Sequence, residues 1–390
     1  MRRSYDYIVL GCGGIGSGAA YWLARRAGAD VLGLEQFKLG HHHGGSQDHS
    51  RVIRRTYHDP AYGRLAPELY TTWDTVEQES GVKLKHITGS VGMWPAGEIS
   101  KASLDAHFHT LEAADVPYDH FDEAELMRRY PQFRVREPLD VIHQMDTGLV
   151  DAAKANATHI ALARGYGATI LHECAVQAIH PTAEGVEVIT AKGRFHCQKL
   201  VVTAGAWTGQ LLKQVGLHVP LFVTQEQVTY FATPHLRDFA MDRFPIFSWH
   251  GEQFIYGFPV YGEVATKIAF DYSGKFVTTE TRGYEADEEV EQQLINWLSE
   301  HIPNFLGPKL YSKTCLYTMP KDRGFILDTL PEHSNILLAV GSGHAFKFAS
   351  LLGKILSEMA IDGNTTYPID AFTLNRPAIT DPTYQAVFRI

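Results

Sequence analysis

The sequence predicts an α/β protein in which a β-rich, α+β segment is inserted into a domain built on a mostly parallel sheet. Residues 5–35 follow the order strand, glycine-rich turn, helix and strand, which is one βαβ unit. A second apolar strand followed by a glycine turn stands near the far end, at residues 335–343. Residues 220–275, between them, are rich in β-branched and aromatic residues. The two ends therefore predict one discontinuous domain, and the middle predicts a second.

The βαβ unit begins with a strand predicted over residues 5–10, where β-branched and aromatic residues predominate. The turn Gly11-Cys12-Gly13-Gly14-Ile15-Gly16 then opens a helix, because apolar residues recur at helical spacing as far as Ala27. Gly28 is predicted to stop this helix, and residues 31–35 form the second strand.

The rest of the chain is divided by the same patterns. Helices are predicted over residues 66–79, 152–166 and 286–301 and from the last glycine turn to residue 361, and short strands over residues 168–171, 186–189, 200–202 and 335–340. We assign residues 1–85, 146–219 and 320–390 to the first domain and residues 86–145 and 220–319 to the second.

The composition is that of a soluble globular protein, since 45% of the 390 residues are apolar and 20% are charged. A formal net charge of -9 argues against broad binding to nucleic acid or to membrane surfaces. The sequence has no apolar run of transmembrane length and no secretory signal segment, so we expect a cytoplasmic protein. Four scattered cysteines argue against a disulfide framework and against a zinc site.

The first glycine turn has the spacing and the context of a Rossmann-type dinucleotide-binding site. Gly11 permits the tight turn, Gly13 lets a pyrophosphate approach the backbone, and Gly16 lets the helix pack against the strand. The helix N-terminus offers free N–H groups and the positive end of its dipole to phosphate. Glu35 suits a ribose diol and argues against a 2′-phosphate, but the pattern does not separate FAD from NAD. The predicted contacts are Gly11, Gly13, Gly14, Ile15, Gly16, Glu35 and Gln36.

The later motifs separate the two cofactors through a family resemblance. Lys313-Thr314-Cys315-Leu316-Tyr317-Thr318 and Gly341-Ser342-Gly343-His344-Ala345-Phe346-Lys347-Phe348 resemble, in order and spacing, segments of the monomeric sarcosine oxidase family, which includes N-methyltryptophan oxidase and pipecolate oxidases. The resemblance extends from about residue 5 to about residue 377. It implies a glutathione-reductase- or D-amino-acid-oxidase-like architecture, in which the first domain binds FAD and the second binds the substrate. Further matching segments are Ser50-Arg51-Val52-Ile53-Arg54, Val202-Thr203-Ala204-Gly205-Ala206-Trp207, Tyr256-Gly257-Phe258-Pro259, Phe325-Ile326-Leu327-Asp328 and Lys267.

The resemblance implies that FAD is covalently bound, through a cysteine sulfur to the flavin 8α-methyl group, and Cys315 occupies that position. A thiolate can attack an electrophilic methide, and the neighbouring cation of Lys313 would favour the thiolate. The reaction of the family takes a hydride from the carbon next to a secondary amine, the imine hydrolyses, and oxygen reoxidises the flavin to give hydrogen peroxide. We therefore expect a monomeric FAD-dependent oxidase of a secondary or cyclic amino acid, such as sarcosine, another N-methyl amino acid or an imino acid.

The resemblance also gives each catalytic task a candidate residue. Arg51 and Lys347 would bind the substrate carboxylate, since a guanidinium fork suits a carboxylate. Lys267 would stabilise the anion formed when oxygen is reduced, and the helix that opens near His344 would direct its dipole at the reduced flavin. The predicted catalytic residues are Arg51, Tyr256, Lys267, Asp271, Tyr317 and Lys347. The predicted cofactor contacts beyond the glycine turn are Ser46, Ser50, Arg51, Val176, Ala204, Gly205, Trp207, Cys315, Gly341, Gly343, His344 and Lys347.

The sequence departs from the family pattern at three places. Asp271 stands four residues after Lys267, where the family has a histidine, and its carboxylate is an acceptor and a negative charge. Beside an anionic flavin this group would be disfavoured or protonated, or it would bind a substrate ammonium. Gln47 and Asp48 replace the more usual His-Gly, and the turn after residue 340 lacks the phenylalanine of the family. The first departure favours a cyclic imino acid, or a bulkier amino acid in a biosynthetic pathway, over sarcosine.

Simpler interpretations stay open for individual residues. Arg51 and Arg54 could hold their loop by salt bridges, and Lys267 could be a solvated strand residue. Tyr256 and Tyr317 could be core aromatics. Three adjacent histidines at positions 41–43 do not predict a metal site without other ligands, so we predict none.

Other functions stay open as well. A multi-step oxidase of a cyclic imino acid, such as a piperideine or pipecolate carboxylate in a biosynthetic pathway, belongs to the same class. A dehydrogenase that passes electrons to a carrier protein is a second class, and Lys267 argues for the oxidase instead. A nicotinamide enzyme would be colourless rather than yellow. A non-enzymatic flavin-binding protein would not need the three cations Arg51, Lys267 and Lys347.

Overall fold

The computed structural model describes residues 2–55, 57 and 59–388. The strands are β1 (Ser4–Leu10), β2 (Val31–Leu34), β3 (Ser50–Ile53), β4 (Lys85–Ile87), β5 (Ser90–Pro95), β6 (Asp119–Phe121), β7 (Leu139–Gln144), β8 (Gly148–Asp151), β9 (Thr169–Leu171), β10 (Val176–Thr182), β11 (Gly185–Thr190), β12 (Gly193–Val202), β13 (Phe222–Phe231), β14 (Ile246–His250), β15 (Phe254–Phe258), β16 (Thr266–Phe270), β17 (Lys309–Met319), β18 (Ile326–Leu330) and β19 (His333–Val340). The α-helices are α1 (Gly14–Ala27), α2 (Pro60–Ser80), α3 (Glu98–Ala113), α4 (Glu123–Arg129), α5 (Ala152–Gly165), α6 (Thr208–Lys213), α7 (Glu288–His301), α8 (Ala349–Ile361) and α9 (Pro377–Thr380).

The first sheet runs in the order β10-β11-β12-β1-β2-β9, and β19 pairs with both β12 and β18. Its central strands β9, β2, β1, β12 and β19 are parallel, whereas β10, β11 and β18 are antiparallel additions. The chain leaves β1 towards β2 on one side and returns through β12 on the other. Ligands of such sheets bind outside the carboxyl ends of the strands at this reversal, which places a binding site after β1.

Helix α1 packs between α5 and α8 on one face of the first sheet. The helices α1 and α8 approach closely at two glycines, because a Cβ on Gly353 would lie 2.3 Å from the carbonyl carbon of Gly18. Trp73 and Leu351 are buried in the core that these helices form. The opposite face of the sheet is covered in part by Leu212 of α6. The sheet is therefore apolar on both faces, as a parallel sheet requires.

The second sheet has the order β17-β13-β16-β15-β14-β5-β7-β6 and is antiparallel except between β14 and β5. Side chains alternate between its two faces along each strand. On one face Phe231, Ile268 and Phe270 pack against Leu294 and Leu298 of α7. The other face therefore presents the odd-numbered residues of β16 and those of β17 from Tyr311 onwards, among them Lys267 and Cys315.

A third, small sheet in the order β3-β8-β4 lies between these units in the chain. The strands of the first sheet all come from residues 4–34, 169–202 and 326–340, and those of the second from residues 90–144 and 222–319. This membership supports the predicted division of the chain, whose boundaries remain our proposal.

The predicted α/β fold class is confirmed, and the main elements lie where the residue patterns placed them. The helix predicted from residue 66 begins earlier, at Pro60, because the Asp59 carboxylate accepts a hydrogen bond from the N–H of Ala61 and caps the first turn. The last glycine turn opens into a 3₁₀ helix, Ala345–Phe348, and α8 starts only at Ala349. The dipole predicted near His344 is therefore that of a short 3₁₀ turn. None of the helices in the described ranges is long and apolar enough to span a bilayer.

Candidate active site

A cleft of about 1040 Å³ opens at the carboxyl ends of the parallel strands. Gly11, Glu35, Thr203 and Gly341 follow β1, β2, β12 and β19, and all four line the cleft. The site is therefore built where the strand order reverses. The predicted residues that line it are Gly11, Gly13, Gly14, Ile15, Glu35, Gln36, Ser46, Arg51, Val176, Ala204, Gly205, Trp207, Tyr317, Gly341 and Gly343.

The glycines of the first turn differ in what they allow. Gly11 has φ +89°, in the left-handed region that favours glycine. A Cβ on Gly16 would lie 1.7 Å from the carbonyl oxygen of Gly11, so close packing of α1 on β1 requires glycine there. A Cβ on Gly13 would meet only the hydroxyl of Ser46, at 3.1 Å. The first turn of α1 carries no acidic residue, and the N–H of Gly14 donates to the Ser46 hydroxyl at 2.8 Å, so this helix end favours an acceptor such as a phosphate oxygen.

Replacing Gly16 with alanine is expected to destabilise the protein by about 1–3 kcal/mol and to lower the fraction of the protein that incorporates flavin. The added methyl group would force α1 away from β1 and so displace the N–H groups that face the cleft. Urea unfolding and the flavin content after gel filtration measure the two effects. Gly209 lies in α6, where an added methyl group would have no neighbouring atom within 4 Å, so Gly209→Ala is the control and should keep both properties. A Gly16→Ala protein as stable as the native chain would contradict this interpretation.

Glu35 stands at the tip of β2 as a buried acceptor. One carboxylate oxygen accepts the N–H of Cys12 at 3.0 Å, and the other accepts the N–H of Phe37 at 3.0 Å. Burial by itself raises the pKa of Glu35, but His41 and these two N–H groups outweigh it and hold the pKa below its ordinary value. The ionised carboxylate at this place fits a ribose hydroxyl pair, as predicted.

The three consecutive histidines border this end of the cleft. His41 and His42 line it, and the Nε2 atom of His41 lies 3.4 Å from Glu35. The Nδ1 atom of His43 lies 2.6 Å from the hydroxyl of Tyr284, and its ring packs on Phe37. Within the described ranges, no group of three or more histidine, cysteine, aspartate or glutamate side chains could hold a metal ion.

The second sheet brings several predicted catalytic residues onto one face. Lys267 lies opposite Tyr230, Ala269 lies opposite Tyr256, and Cys315 lies opposite Glu226, and directly opposed residues share a face. Tyr317 is one of the groups that act on the pKa of Tyr256. Burial raises the pKa of both tyrosines, so both hydroxyls stay protonated. The predicted residues that do not line the cleft itself are Gly16, Ser50, Tyr256, Lys267, Asp271, Cys315, His344 and Lys347.

Cys315 is partly buried on β17, and its neighbours Thr314 and Leu316 line the cleft. Burial raises the pKa of its thiol to about 11, while Arg51 and Lys267 act in the opposite direction. The expectation that Lys313 supplies the activating cation needs correction. Lys313 instead lies 3.5 Å from Asp48 and over the ring of Tyr311.

Lys267 is a buried cation, so the interpretation as a solvated strand residue is wrong. It is 3% exposed, and its ammonium lies 2.6 Å from a carboxylate oxygen of Asp48. It also donates to the carbonyl oxygen of Ser50 at 3.1 Å and to its hydroxyl at 3.0 Å. Burial lowers the pKa of Lys267 to about 8, although Asp48 opposes the shift.

Two arginines of the same segment differ in what they can bind. The guanidinium of Arg51 donates to the carbonyl oxygens of Gly45 at 3.1 Å, Gln47 at 2.5 Å and Ser50 at 2.9 Å, so it fixes the loop at the cleft wall. Arg54, which the sequence analysis did not place in the site, has a buried Nε atom without a hydrogen-bond partner among the described residues. A buried donor without a partner points to a missing anionic or polar group.

Arg54 and Lys347 are two basic residues whose side chains both lie over the ring of Tyr57. Burial lowers the pKa of Lys347 well below its ordinary value, and Arg54 is the charged group that lowers it most. The Lys347 ammonium donates to the carbonyl oxygen of His344 at 3.2 Å and lies over the ring of Tyr57, as Arg54 does. An anion bound near Lys347 would favour the charged form of its amine.

Asp271 is not an isolated carboxylate. The guanidinium of Arg323 holds it in a two-point contact, at 2.6 and 3.0 Å, and Arg323 is fully buried. Arg323 also donates to the carbonyl oxygen of Phe388 at 2.9 Å. Pairing with Arg323 is therefore a third possibility for Asp271, besides the protonation and the ammonium binding expected from the sequence. Sequence reasoning missed Arg323, because nothing near position 323 points to position 271.

Glu226 is a second carboxylate that the sequence analysis missed. It is 2% exposed and accepts hydrogen bonds from the Thr224 hydroxyl at 2.5 Å and from the Ser273 N–H at 2.6 Å. Burial raises its pKa to about 7 despite these donors. The face of the second sheet that carries Lys267 and Cys315 thus holds basic groups and carboxylates together.

His344 lies outside the cleft. Its ring stacks on Phe325 at 4.7 Å and meets the edge of Tyr62 at 5.1 Å. Its Nε2 atom lies 3.2 Å from the carbonyl oxygen of Arg323. The side chain therefore supports the last glycine turn from behind. The backbone of that turn faces the cleft, because a Cβ on Gly343 would lie 2.3 Å from the ring of Tyr317.

Comparison with known proteins identifies the family of this chain and several of its relatives. The model of the family described as FAD dependent oxidoreductase (DAO) matches residues 6–359. The monomeric sarcosine oxidase of Streptomyces avermitilis is 33% identical over 387 residues, which cover 97% of this chain and 99% of that protein. The N-methyl-L-tryptophan oxidase of Escherichia coli O157:H7 is 31% identical over 385 residues, covering 95% of this chain and 99% of that protein.

Solved structures share the fold over nearly the whole chain. NikD, an unusual amino acid oxidase essential for nikkomycin biosynthesis, superposes in its open form with a TM-score of 0.84 and 25% identity, covering 95% of this chain and 98% of that one. The glycine oxidase of Geobacillus kaustophilus has a TM-score of 0.83 at 17% identity and covers 96% of this chain and 99% of its own. The resemblance stated from the sequence motifs is confirmed.

Proposed function

This chain belongs to the FAD dependent oxidoreductase (DAO) family, and from that premise we propose that it oxidises the C–N bond of a secondary or cyclic amino acid, with oxygen as the acceptor and hydrogen peroxide as a product. One observation carries the proposal. The dinucleotide cleft borders a sheet face on which Lys267, Cys315, Tyr256 and Tyr317 stand together. A nucleotide-binding domain without a reaction would not need a buried cation there.

The residues that would hold FAD are those of the cleft. The backbone of Gly13 and Gly14 at the α1 N-terminus would receive the pyrophosphate, and Glu35 would receive the ribose. Arg51 would fix the loop from Gly45 to Ser50 against the cofactor. FAD, when bound, supplies the acceptor for two electrons. The protein supplies the positions and charges around it.

The substrate carboxylate is assigned to Arg54 and Lys347. Lys347 is 7% exposed, and the buried Nε donor of Arg54 has no hydrogen-bond partner in the described part of the chain. Arg51, the residue first predicted for this task, donates instead to three loop carbonyl oxygens. Tyr256 and Tyr317 would lie beside the substrate amine.

We assign the covalent attachment of FAD to Cys315. Its position on the shared face and the nearby cations Arg51 and Lys267 support the assignment, because both cations favour a thiolate. The test is a visible spectrum of the purified protein before and after acid precipitation. Yellow colour that stays with the precipitate is the expected result, and Cys315→Ala should release all of it into the supernatant.

The control is Cys174→Ala, because Cys174 lines the cleft directly but lies away from β17. It should keep the colour in the precipitate. Native protein whose colour moves to the supernatant would contradict the Cys315 assignment but not the family membership. An amine and imino acid panel, read with an oxygen electrode, then tests the substrate class. The same protein is expected to be a cytoplasmic monomer, which light scattering and cell fractionation measure.

A multi-step oxidase of a cyclic imino acid is the second candidate function. The observation that favours it is the Asp271–Arg323 pair, which puts a bound carboxylate where the family pattern has a histidine. The oxygen consumed per substrate distinguishes the two candidates. A single oxidation consumes one oxygen, whereas two successive oxidations of one ring consume two.

A further inference from the structure

Asp48 has an unusual backbone conformation for its residue type. Its φ of +85° lies in the left-handed region that favours glycine, and the residue is 8% exposed. An aspartate adopts this conformation at a cost that other contacts must offset. The contacts of its carboxylate show which groups this conformation brings together.

The carboxylate of Asp48 contacts groups from three strands of the second sheet and from the nearby Arg51. Lys267 on β16 lies 2.6 Å from one oxygen. Tyr230 on β13 donates its hydroxyl at 2.7 Å to one oxygen and lies 2.9 Å from the other. Lys313 on β17 lies 3.5 Å away, and Arg51 lies 3.9 Å away.

The same segment occupies the remaining donors of Lys267. An ammonium has three N–H groups, and here they face the Asp48 carboxylate, the Ser50 carbonyl oxygen and the Ser50 hydroxyl. The ammonium also lies 4.8 Å from the centre of the Phe258 ring. Lys267 therefore has one fixed position and acts on its surroundings through its charge.

We propose that Asp48 is a positioning residue, which anchors the Lys267 ammonium on the sheet face that borders the cofactor cleft and keeps it charged there. This inference rests on the proposed oxidase function, in which that charge meets oxygen as it accepts an electron. Asp48 does not itself touch the reacting atoms in this assignment.

The charge balance around Lys267 gives the expected direction of the effect. Burial lowers the pKa of Lys267 to about 8, Asp48 opposes the shift, and Arg51 adds to it. Without the Asp48 carboxylate the pKa falls further, so the ammonium loses its proton at a lower pH. The titratable and charged groups that face Lys267 from the surrounding elements are Asp48, Arg51, Tyr230, Lys313 and Cys315.

The test uses the holoprotein and needs no substrate. Native, Asp48→Asn and Asp48→Gly proteins are reduced with dithionite and mixed with oxygen between about pH 6 and about pH 10, and the return of flavin absorbance is timed. The native rate should fall above about pH 8, where Lys267 loses its proton. In both variants the fall should move down by about one pH unit or more. Glu263→Gln is the matched control and should leave the profile unchanged, because Glu263 contacts His49 of the same loop.

A second readout does not depend on the flavin reaction. In the folded native protein the pKa of Lys267 is about 8, below its ordinary value of 10.5, so the unfolded chain binds more protons between these values. Lys267 therefore adds stability as the pH rises through this window. In the Asp48 variants the folded-state pKa of Lys267 is expected to be lower, so this rise in stability should begin at a lower pH. The melting temperature, taken as a difference between native and variant protein at each pH, measures this shift.

The possible outcomes distinguish a failure of the role assigned to Asp48 from a failure of the proposed oxidase function. Native reduced protein that reacts with oxygen no faster than free reduced FAD would overturn the oxidase proposal, whatever the variants do. A fast native reaction with superimposable profiles for native and Asn proteins would overturn the role of Asp48. A shift in the Gly variant alone would also overturn it, because the cause would then be the backbone and not the charge.

Discussion

Lys267→Gln is expected to slow the reaction of the dithionite-reduced protein with oxygen by about 10²- to 10³-fold. The variant keeps a side chain that can donate to Asp48 and Ser50 but carries no positive charge. Oxygen becomes an anion when it accepts an electron, and a buried cation stabilises that anion more than a solvated one does. Lys267 is 3% exposed, so little solvent screens it.

Stopped-flow absorbance at a single pH near neutrality measures the rate. Lys313→Gln is the control, because Lys313 also contacts Asp48 but its side chain is 35% exposed. It should slow the reaction only slightly. If both variants react as fast as the native protein, Lys267 has no role in oxygen reduction, and a dehydrogenase with a carrier acceptor becomes the better proposal.

Asp271→Asn is expected to lower the free energy of unfolding by about 3–5 kcal/mol. The change leaves the guanidinium of Arg323 buried without its carboxylate partner, and an unpaired buried charge is expensive. Arg323 is fully buried, and Asp271 is 9% exposed, so water cannot replace the lost contact. The midpoint and slope of urea unfolding measure the effect.

The control is Asp105→Asn, which breaks a solvent-exposed pair with Lys101 and should change stability by less than about 1 kcal/mol. The double variant Asp271→Leu, Arg323→Met replaces both charges with apolar groups and should recover most of the loss. A double variant as unstable as the single one would mean that the pair is needed for something beyond charge neutralisation. A single variant of native stability would contradict the burial argument itself.

The dinucleotide cleft was predicted well because its signal is local. Gly11, Gly13, Gly16 and Glu35 lie within one βαβ unit, and each answers a constraint set by neighbours in the same unit. A tight turn, a close helix and a strand tip are readable from spacing. The family motifs extended this prediction to Lys267 and Cys315, which the structure places on one sheet face.

The partners of those residues were not predictable in the same way. Arg323 meets Asp271 across 52 positions, and Asp48 meets Lys267 across 219. An isolated sequence gives no reason to join such pairs, because their members lie on segments that are far apart in the chain and meet only in the folded protein. Arg54 was visible in its motif, but only its unpartnered buried Nε atom separates it from Arg51.

The sequence by itself determined the α/β class, the glycine-rich turn after β1 and the family, since hydrophobic periodicity and glycine spacing are short-range constraints. The tertiary structure alone decided which charges meet. It paired Lys267 with Asp48 and Asp271 with Arg323, and it left Arg54 beside Lys347. Burial and distance set the strength of a charge interaction, and both come into existence only when distant segments pack together.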